Sequence, residues 1–239
     1  MKLDLHVHTV LSDGDRIDRI IAVAEGRRLD GIAITDHDTI RGVRIARKIA
    51  KNLLIIPGIE VATNIGHILI LNISKMPRKN RYHIYNYIEI LEWARENNAT
   101  TILAHPITSI PQLIKNREII EKYKPDAVEV YNSLYPFFPL SVTLSKRIAG
   151  KLNLPQTGGS DAHKYSQVGK CYTLVNSEKN IEEIMEKIRG GLIESSGRPA
   201  EIRIRTKISI NFLTTFIPKI IDLDRNHHLL ANKILEYEQ

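Results

Sequence analysis

Lys2-Leu3-Asp4-Leu5-His6-Val7-His8 reads as a β-strand by strict alternation, with Leu3, Leu5 and Val7 on one face and Asp4, His6 and His8 on the other. Two imidazoles two residues apart on one strand face can reach a single cation. Just beyond them Ser12-Asp13-Gly14 turns the chain. Ile17 to Leu29 then carries Ile17, Ile20, Ile21 and Ala24 at helical spacing, with Asp13 or Asp15 as the expected N-cap.

The same strand-then-helix unit recurs along the chain. Strands are expected at 31–35, 53–61, 67–71, 101–104, 127–131, 154–157 and 171–175. Helices are expected at 39–51, 81–98, 112–123, 140–149 and 181–189, the longest with Ile84, Tyr87, Ile88, Leu91 and Ala94 as its apolar stripe. Such alternation predicts an α/β fold with a parallel sheet, and a barrel would gather the C-terminal strand ends into one pocket. The metal-capable side chains fall at those ends. His6 and His8 end the first strand, with Asp13 in the loop just after it, while His37 ends the second and Glu60 the third. His67 starts the next segment, His105 ends its strand, and Asp161 and His163 follow Leu154 to Thr157. Buried histidines and carboxylates without partners are costly, so nine of them at strand ends point to metal rather than packing.

Composition narrows the chemistry. The hydrophobic fraction is 43%, and 34 basic against 27 acidic residues give a net charge of +7 and a pI near 9.4. The charge favours anionic partners, although a Lys/Arg/Glu-rich surface also suits heat-adapted proteins. The single cysteine, Cys171, forms no intramolecular disulfide or zinc–thiolate site and reads as a strand-core residue. Apolar runs are strand-sized, and Met1 to His6 lacks a signal peptide's apolar stretch, so a cytoplasmic protein with no membrane partner is expected. Neither a G-x-S-x-G elbow nor a Walker-type glycine loop is present. His83, His227 and His228 are expected at the surface.

Taken together, Asp4-Leu5-His6-Val7-His8-Thr9, Ser12-Asp13-Gly14, Thr35-Asp36-His37-Asp38-Thr39, Gly58-Ile59-Glu60-Val61, Ala104-His105-Pro106 and Gly159-Ser160-Asp161-Ala162-His163 resemble the PHP (polymerase and histidinol phosphatase) family. The resemblance spans residues 1 to about 165, and about Gly169 to Pro199 resembles the segment that often follows that domain. It implies a distorted (β/α)7, TIM-like barrel over 1–195, with a C-terminal extension at 196–239. It also implies two or three divalent ions (Mn, Zn or Fe). The first would sit among His6, His8, Glu60 and Asp161, the second among Asp13, His37 and His163. The third would use His67 and His105, with Glu60 bridging. Asp36 and Asp38 are candidates to orient His37, and Arg41, Asn132, Lys164 and Arg198 are candidate substrate contacts.

The implied activity is phosphate-ester hydrolysis by a metal-activated hydroxide. The stretch between Glu60 and His105 is too short for the lid insertion of some nucleotide-hydrolysing relatives. An open pocket with a basic rim fits nucleotides or nucleic-acid ends, with a histidinol-phosphate-type small molecule as the alternative. An amidohydrolase-type C–N hydrolase and a non-catalytic nucleic-acid-binding module are the readings of other classes. In the tail, Ala200 to Lys207 alternates like an edge strand, and 211–239 reads as helical, broken at Pro218, with Phe212, Leu213, Phe216 and Ile217 needing cover.

Overall fold

The structure, a computed structural model, describes residues 1–78, 84–203 and 205. Its elements alternate as expected. They are β1 (Lys2–Val7), α1 (Ile17–Gly26), β2 (Gly31–Ile34), α2 (Arg41–Ile49), β3 (Leu54–Ala62), β4 (His67–Leu71), α3 (Tyr87–Glu96), β5 (Thr100–Leu103), α4 (Ile110–Lys115), α5 (Arg117–Lys122), β6 (Ala127–Asn132), α6 (Phe138–Leu152), β7 (Gln156–Gly159), β8 (Cys171–Val175), α7 (Ile181–Arg189) and β9 (Ile193–Gly197).

One sheet runs in the order β7-β6-β5-β4-β3-β2-β1-β8-β9. It curls until β7 returns to β1, where the backbone amide of His8 donates to Ala162 O at 3.0 Å and that of Ala162 to His6 O at 3.3 Å. The result is the expected α/β barrel, with two departures from the expected parallel sheet. β4 is antiparallel to both β3 and β5, and β8 is antiparallel to β1 and β9. A short turn from Thr63 to Gly66 makes β3 and β4 a hairpin, so β4 presents its first residue, not its last, to the pocket.

The first strand also departs from strict alternation. Its register against β2 shifts between Asp4 and Val7. Leu3 and Leu5 pack with Ala33, Ile56, Leu69 and Ile102, whereas Val7 packs with Ile17 and Ile20 of α1 and Val43 of α2. Irregularities of this kind re-aim side chains beside functional sites.

Three helix readings change. Neither Asp13 nor Asp15 caps α1, whose first turn follows Arg16 with no side-chain cap. The long helix begins at Tyr87, because the Asn86 side chain accepts from the amides of Ile88 and Glu89 and caps it there. Ile84 is exposed, and 81–83, including His83, lie outside the described residues. The helix expected over 112–123 is two short ones separated at Asn116.

At the C-terminal side, β9 pairs with β8 across the boundary expected at 195. Ile202 and Arg203 are helical, and the amide of Arg205 donates to Glu201 O, so this part of the tail is no edge strand. The rest of the tail, including 211–239 with His227 and His228, lies outside the described residues. Among the described residues no helix is long and apolar enough to cross a membrane.

Candidate metal centre

All nine expected ligand residues meet at the end of the barrel where β1, β2, β3, β5 and β7 terminate and β4 begins. Donor atoms of His6, His8 and Glu60 lie within 4.8 Å of one another, as do those of His6, His105 and Asp161, of Glu60, His67 and His105, and of His8, Asp13, His37 and His163. The last group shows one thing the sequence did not: His8 faces two clusters, with Nε2 toward Glu60 and Nδ1 toward Asp13.

The innermost four atoms have the spacing a cation would impose. His6 Nε2 lies 3.0 Å from His8 Nε2, 3.2 Å from Glu60 Oε2 and 3.5 Å from Asp161 Oδ1. His8 Nε2 lies 3.2 Å from the same Glu60 oxygen and 3.4 Å from the same Asp161 oxygen. Ligand bonds of about 2.1 Å in a tetrahedron give edges of roughly 3.4 Å. The other Glu60 oxygen, Oε1, stands 2.8 Å from His67 Nδ1 and 2.9 Å from His105 Nε2. One buried carboxylate thus serves two neighbouring clusters, one oxygen each.

Hydrogen bonding on the far side of each ring fixes which nitrogen is available. His6 Nδ1 pairs with Glu129 Oε1 at 3.0 Å. His163 Nδ1 donates to the carbonyl of Asp161 at 2.9 Å, and His105 Nδ1 meets Thr108 Oγ1 at 2.9 Å. A neutral His163 therefore aims a lone pair at Asp13 Oδ2, 3.1 Å away, so two acceptors face each other. His8 Nδ1 is buried with no hydrogen-bond partner.

Electrostatics make the same demand. Burial alone would drive His6 to lose its proton, but the carboxylates of Asp161, Glu129 and Glu60 outweigh it and hold the ring well above its ordinary range. His8 is likewise pushed up to about 9 against burial, through Asp161 and Glu60. Glu60 and Asp161 are held well below the usual carboxylate range, because the imidazoles, His6 foremost, overcome the penalty of burial. His37 goes the other way: burial lowers it, only partly offset by Glu60. The carboxylates thus call for positive charge, while a 3.0 Å gap between two Nε2 atoms leaves no room for two N–H groups. A divalent ion meets both conditions, and the nitrogen–oxygen donor set suits Zn, Fe or Mn.

Local backbone strain accompanies the cluster. Asp38, His105 and Asp161 have φ of 53°, 27° and 55°, a region costing side-chain-bearing residues roughly 1–2 kcal/mol. Gly159 is required where β7 closes on β1, since a Cβ there would lie 2.5 Å from His6 Cβ and 2.8 Å from Glu129 Oε1.

Other expected residues find different places. Asp36 does not turn to His37. Its carboxylate accepts from Thr9 N (2.6 Å), Thr9 Oγ1 (2.7 Å) and Ser12 Oγ (2.8 Å), and so holds the loop that carries Asp13. The Asp38 amide donates to Glu60 O at 3.2 Å. Asn132 is buried, and its amide donates to Glu129 Oε2 (2.9 Å) and Asp161 Oδ2 (3.1 Å). Arg41, Lys164 and Arg198 are exposed. Among the described residues no hydrogen bond or ion pair joins their side chains to the nine. Cys171 is buried in β8, as expected.

Glu129 was missed. Besides His6 it accepts from the His105 amide at 2.9 Å, tying β6 to two ligand rings. The signal was present: a lone carboxylate inside Ala127-Val128-Glu129-Val130 needs a buried partner. Asp4 was passed over likewise. It accepts from the amides of Ser160 (2.8 Å) and Gly169 (2.6 Å), and burial pushes its carboxyl up to about 6.

Comparison with known proteins agrees. The PHP-associated family model matches residues 140–192. MJ1587, an uncharacterized protein of Methanocaldococcus jannaschii, is 30% identical over 149 residues, covering 56% of this chain and 84% of that protein. A structure of a two-domain protein from Bacteroides vulgatus, containing a predicted PHP-like metal-dependent phosphoesterase, superposes with a TM-score of 0.68. The chain belongs to the PHP family. That likeness is at 21% identity and covers 82% of this chain and 64% of the two-domain protein, so this PHP chain spans just under two thirds of it.

Another M. jannaschii relative, the uncharacterized protein MJ0417, is 30% identical over 191 residues (77% of this chain, 73% of that protein). A phosphoribosyl 1,2-cyclic phosphate 1,2-diphosphodiesterase of Eggerthella lenta is 39% identical over 62 residues, 25% of this chain and 24% of its own. Two further structures share the PHP chain's fold. PfuEndoQ, a lesion-specific endonuclease from Pyrococcus furiosus, has a TM-score of 0.60 at 18% identity (81% of this chain, 57% of that one). An amidohydrolase from Chromobacterium violaceum has 0.57 at 19% identity (84% and 99%).

Proposed function

We propose that this PHP chain is a cytoplasmic metal-dependent phosphoesterase that cleaves phosphate esters of nucleotides or at oligonucleotide ends. The observation that carries the reading is Glu60, whose two oxygens face two separate groups of imidazoles. In this reading His6, His8, Glu60 and Asp161 hold one ion. Asp13, His37 and His163, with His8 Nδ1 alongside, hold a second. His67, His105 and Glu60 hold a third. When bound, such ions supply Lewis acidity toward phosphoryl oxygens and bring the pKa of water from 15.7 to about 7.

The protein's own groups do the rest. Glu129 and Thr108 keep the His6 and His105 rings turned so that Nε2 is presented inward. Asp36 keeps the Thr9–Ser12 loop, and with it Asp13, at the pocket mouth. His37 and His163 are about one-third exposed, which supports a role in meeting an arriving substrate phosphate, and the low proton affinity of His37 keeps its lone pair available. The diphosphodiesterase that is 39% identical over 62 residues favours phosphodiester over C–N chemistry. Glu60 would also take the bridging role that a modified lysine has in many amidohydrolases.

Two measurements test this: metal content by elemental analysis, then hydrolysis of a panel with Mn or Zn. The panel holds nucleoside monophosphates, oligonucleotides with terminal phosphates, bis(p-nitrophenyl) phosphate and histidinol phosphate. Turnover of nucleotide or oligonucleotide substrates is expected. Metal-loaded protein inert toward every ester would refute the phosphoesterase reading, and activity confined to histidinol phosphate would replace the substrate.

A further inference from the structure

The second region that demands a ligand lies on the barrel's flank. Between Asp38 and Glu60 the chain has five basic residues (Arg41, Arg44, Arg47, Lys48 and Lys51) and no acid. Four of them fall in α2, all exposed, while Gly42, Val43 and Ala46 face inward. Like charges at i,i+3 and i,i+4 destabilise a helix by roughly 0.2–0.5 kcal/mol per pair, and α2 carries Arg41/Arg44, Arg44/Arg47 and Arg44/Lys48. Among the described residues no ion pair relieves Arg44 or Lys48.

The helix has a defined course. Its first turn abuts the metal centre, where a Cβ on Gly42 would lie 2.4 Å from Asp36 Oδ2 and 3.1 Å from Thr9 Oγ1. Its last turn reaches the opposite end of the barrel, where Arg47 Nη2 donates to Ile55 O near the start of β3. Between α2 and α3 a cleft of about 650 Å³ runs from Ile40, just before the helix, to Lys48 in its last turn. Arg44, Arg47, Lys48 and Lys75 line it together with the half-buried indole of Trp93, and no carboxylate does. Its volume falls in the usual range for ligand clefts, about 300–1,000 Å³.

We propose that α2 and this cleft form a track for single-stranded nucleic acid, leading from the metal centre down the flank to a stacking platform on Trp93. Cations along one helix face bind successive phosphates irrespective of sequence, and an indole stacks any base. Arg41 to Lys48 spans seven residues, about 10 Å of helix. That is about the run of two or three successive phosphates, so a single phosphate cannot meet Arg41 and Lys48 together whereas the phosphates of a strand can. The inference deepens the phosphoesterase reading by naming its substrate class, and it rests on that reading only for placing the strand's end at the centre.

Trp93 is the sole tryptophan, so the protein's indole emission reports this cleft alone. The full-length chain is titrated with a hydrolysis-resistant phosphorothioate oligothymidylate decamer, with thymidine monophosphate and with poly-glutamate, while bis(p-nitrophenyl) phosphate hydrolysis is followed separately. The decamer should shift or quench Trp93 emission and bind far more tightly than the other two. Its affinity should fall with salt at a slope of about −3 for four phosphate contacts. Arg44→Glu with Lys48→Glu should raise the decamer Kd at least about tenfold and flatten the slope by about 1.4. Lys75→Glu, on a different segment, should weaken binding in the same sense. No change in Trp93 emission with the decamer, equal affinity for the monophosphate or poly-glutamate, or affinity indifferent to both sets of substitutions would overturn the track. Inertness toward the whole ester panel with an intact Trp93 response would instead remove the phosphoesterase reading and leave the track standing.

Discussion

The rim of the barrel and its flank both concentrate charge, and they resolve it differently. At the rim, imidazoles and carboxylates interleave at 2.8–3.5 Å around the buried Glu60, so each charge has its opposite within the protein. Along α2, exposed cations follow one another, and among the described residues no ion pair balances Arg44 or Lys48. Helix α7 shows the ordinary solution for a solvated helix, where Lys187 pairs with Glu183 at 2.8 Å. A cluster balanced internally and spaced as a coordination shell selects a small cation. A stripe left unbalanced selects an extended anion from outside.

Removing the hinge of the rim is the most disruptive way to break the contrast. Glu60→Gln should abolish hydrolysis and cost at least one bound ion per chain by elemental analysis. In the metal-free protein it should also lower stability by about 3–5 kcal/mol, because several imidazoles lose a buried partner. Chemical denaturation with chelator present would measure that cost. Stripping the metal from the native chain is next in size. If an ion is present at a hundred times its Kd, chelation should lower unfolding free energy by about 2.7 kcal/mol per site, and re-addition of Mn or Zn should restore the Tm.

A subtler substitution spares every ligand. Glu129→Gln removes the charge behind His6 and should weaken metal affinity or turnover about 10- to 100-fold. Full affinity by metal titration would show that His6 needs no such support. The smallest effect belongs to the flank and has the opposite sign. Arg44→Glu turns repulsion with Arg41, Arg47 and Lys48 into attraction, so without nucleic acid it should stabilise the fold by a few tenths to about 1 kcal/mol. A destabilised Arg44→Glu would show that the cations are not in conflict, and the contrast between the two regions would lose its basis.

These regions also differ in how far they could be read from sequence. The nine ligands were legible because they stand at or near the ends of apolar runs, and their meeting follows from barrel geometry. Alternation reveals which residues share a face but is blind to strand direction, so the reversal of β4 could not be seen. His67 still reached the pocket, as the first residue of a returning strand. Nor does alternation reveal a register shift, which is why Val7 left the face shared by Leu3 and Leu5. Glu129 was hidden by the apolar run around it, and the cap at Asn86 by the periodicity that Ile84 continues in phase. The α2 cations were visible as composition alone. Their meaning depended on Trp93 and Lys75, which only the fold brings beside them.

The hairpin of β3 and β4 carries a last consequence. Glu60 stands opposite Leu69 and Ala62 opposite His67, in a pairing with a two-residue side-chain period. Sliding one strand by a single residue would turn the bridging carboxylate out of the pocket while leaving the apolar edges nearly as well matched. Bound cations discriminate against that slipped pairing, because only one alignment offers them both oxygens of Glu60 together with His67. Besides their chemistry, the ions would thus act as proofreaders of strand alignment, and protein refolded in chelator should contain misaligned molecules that added metal cannot load until they unfold again.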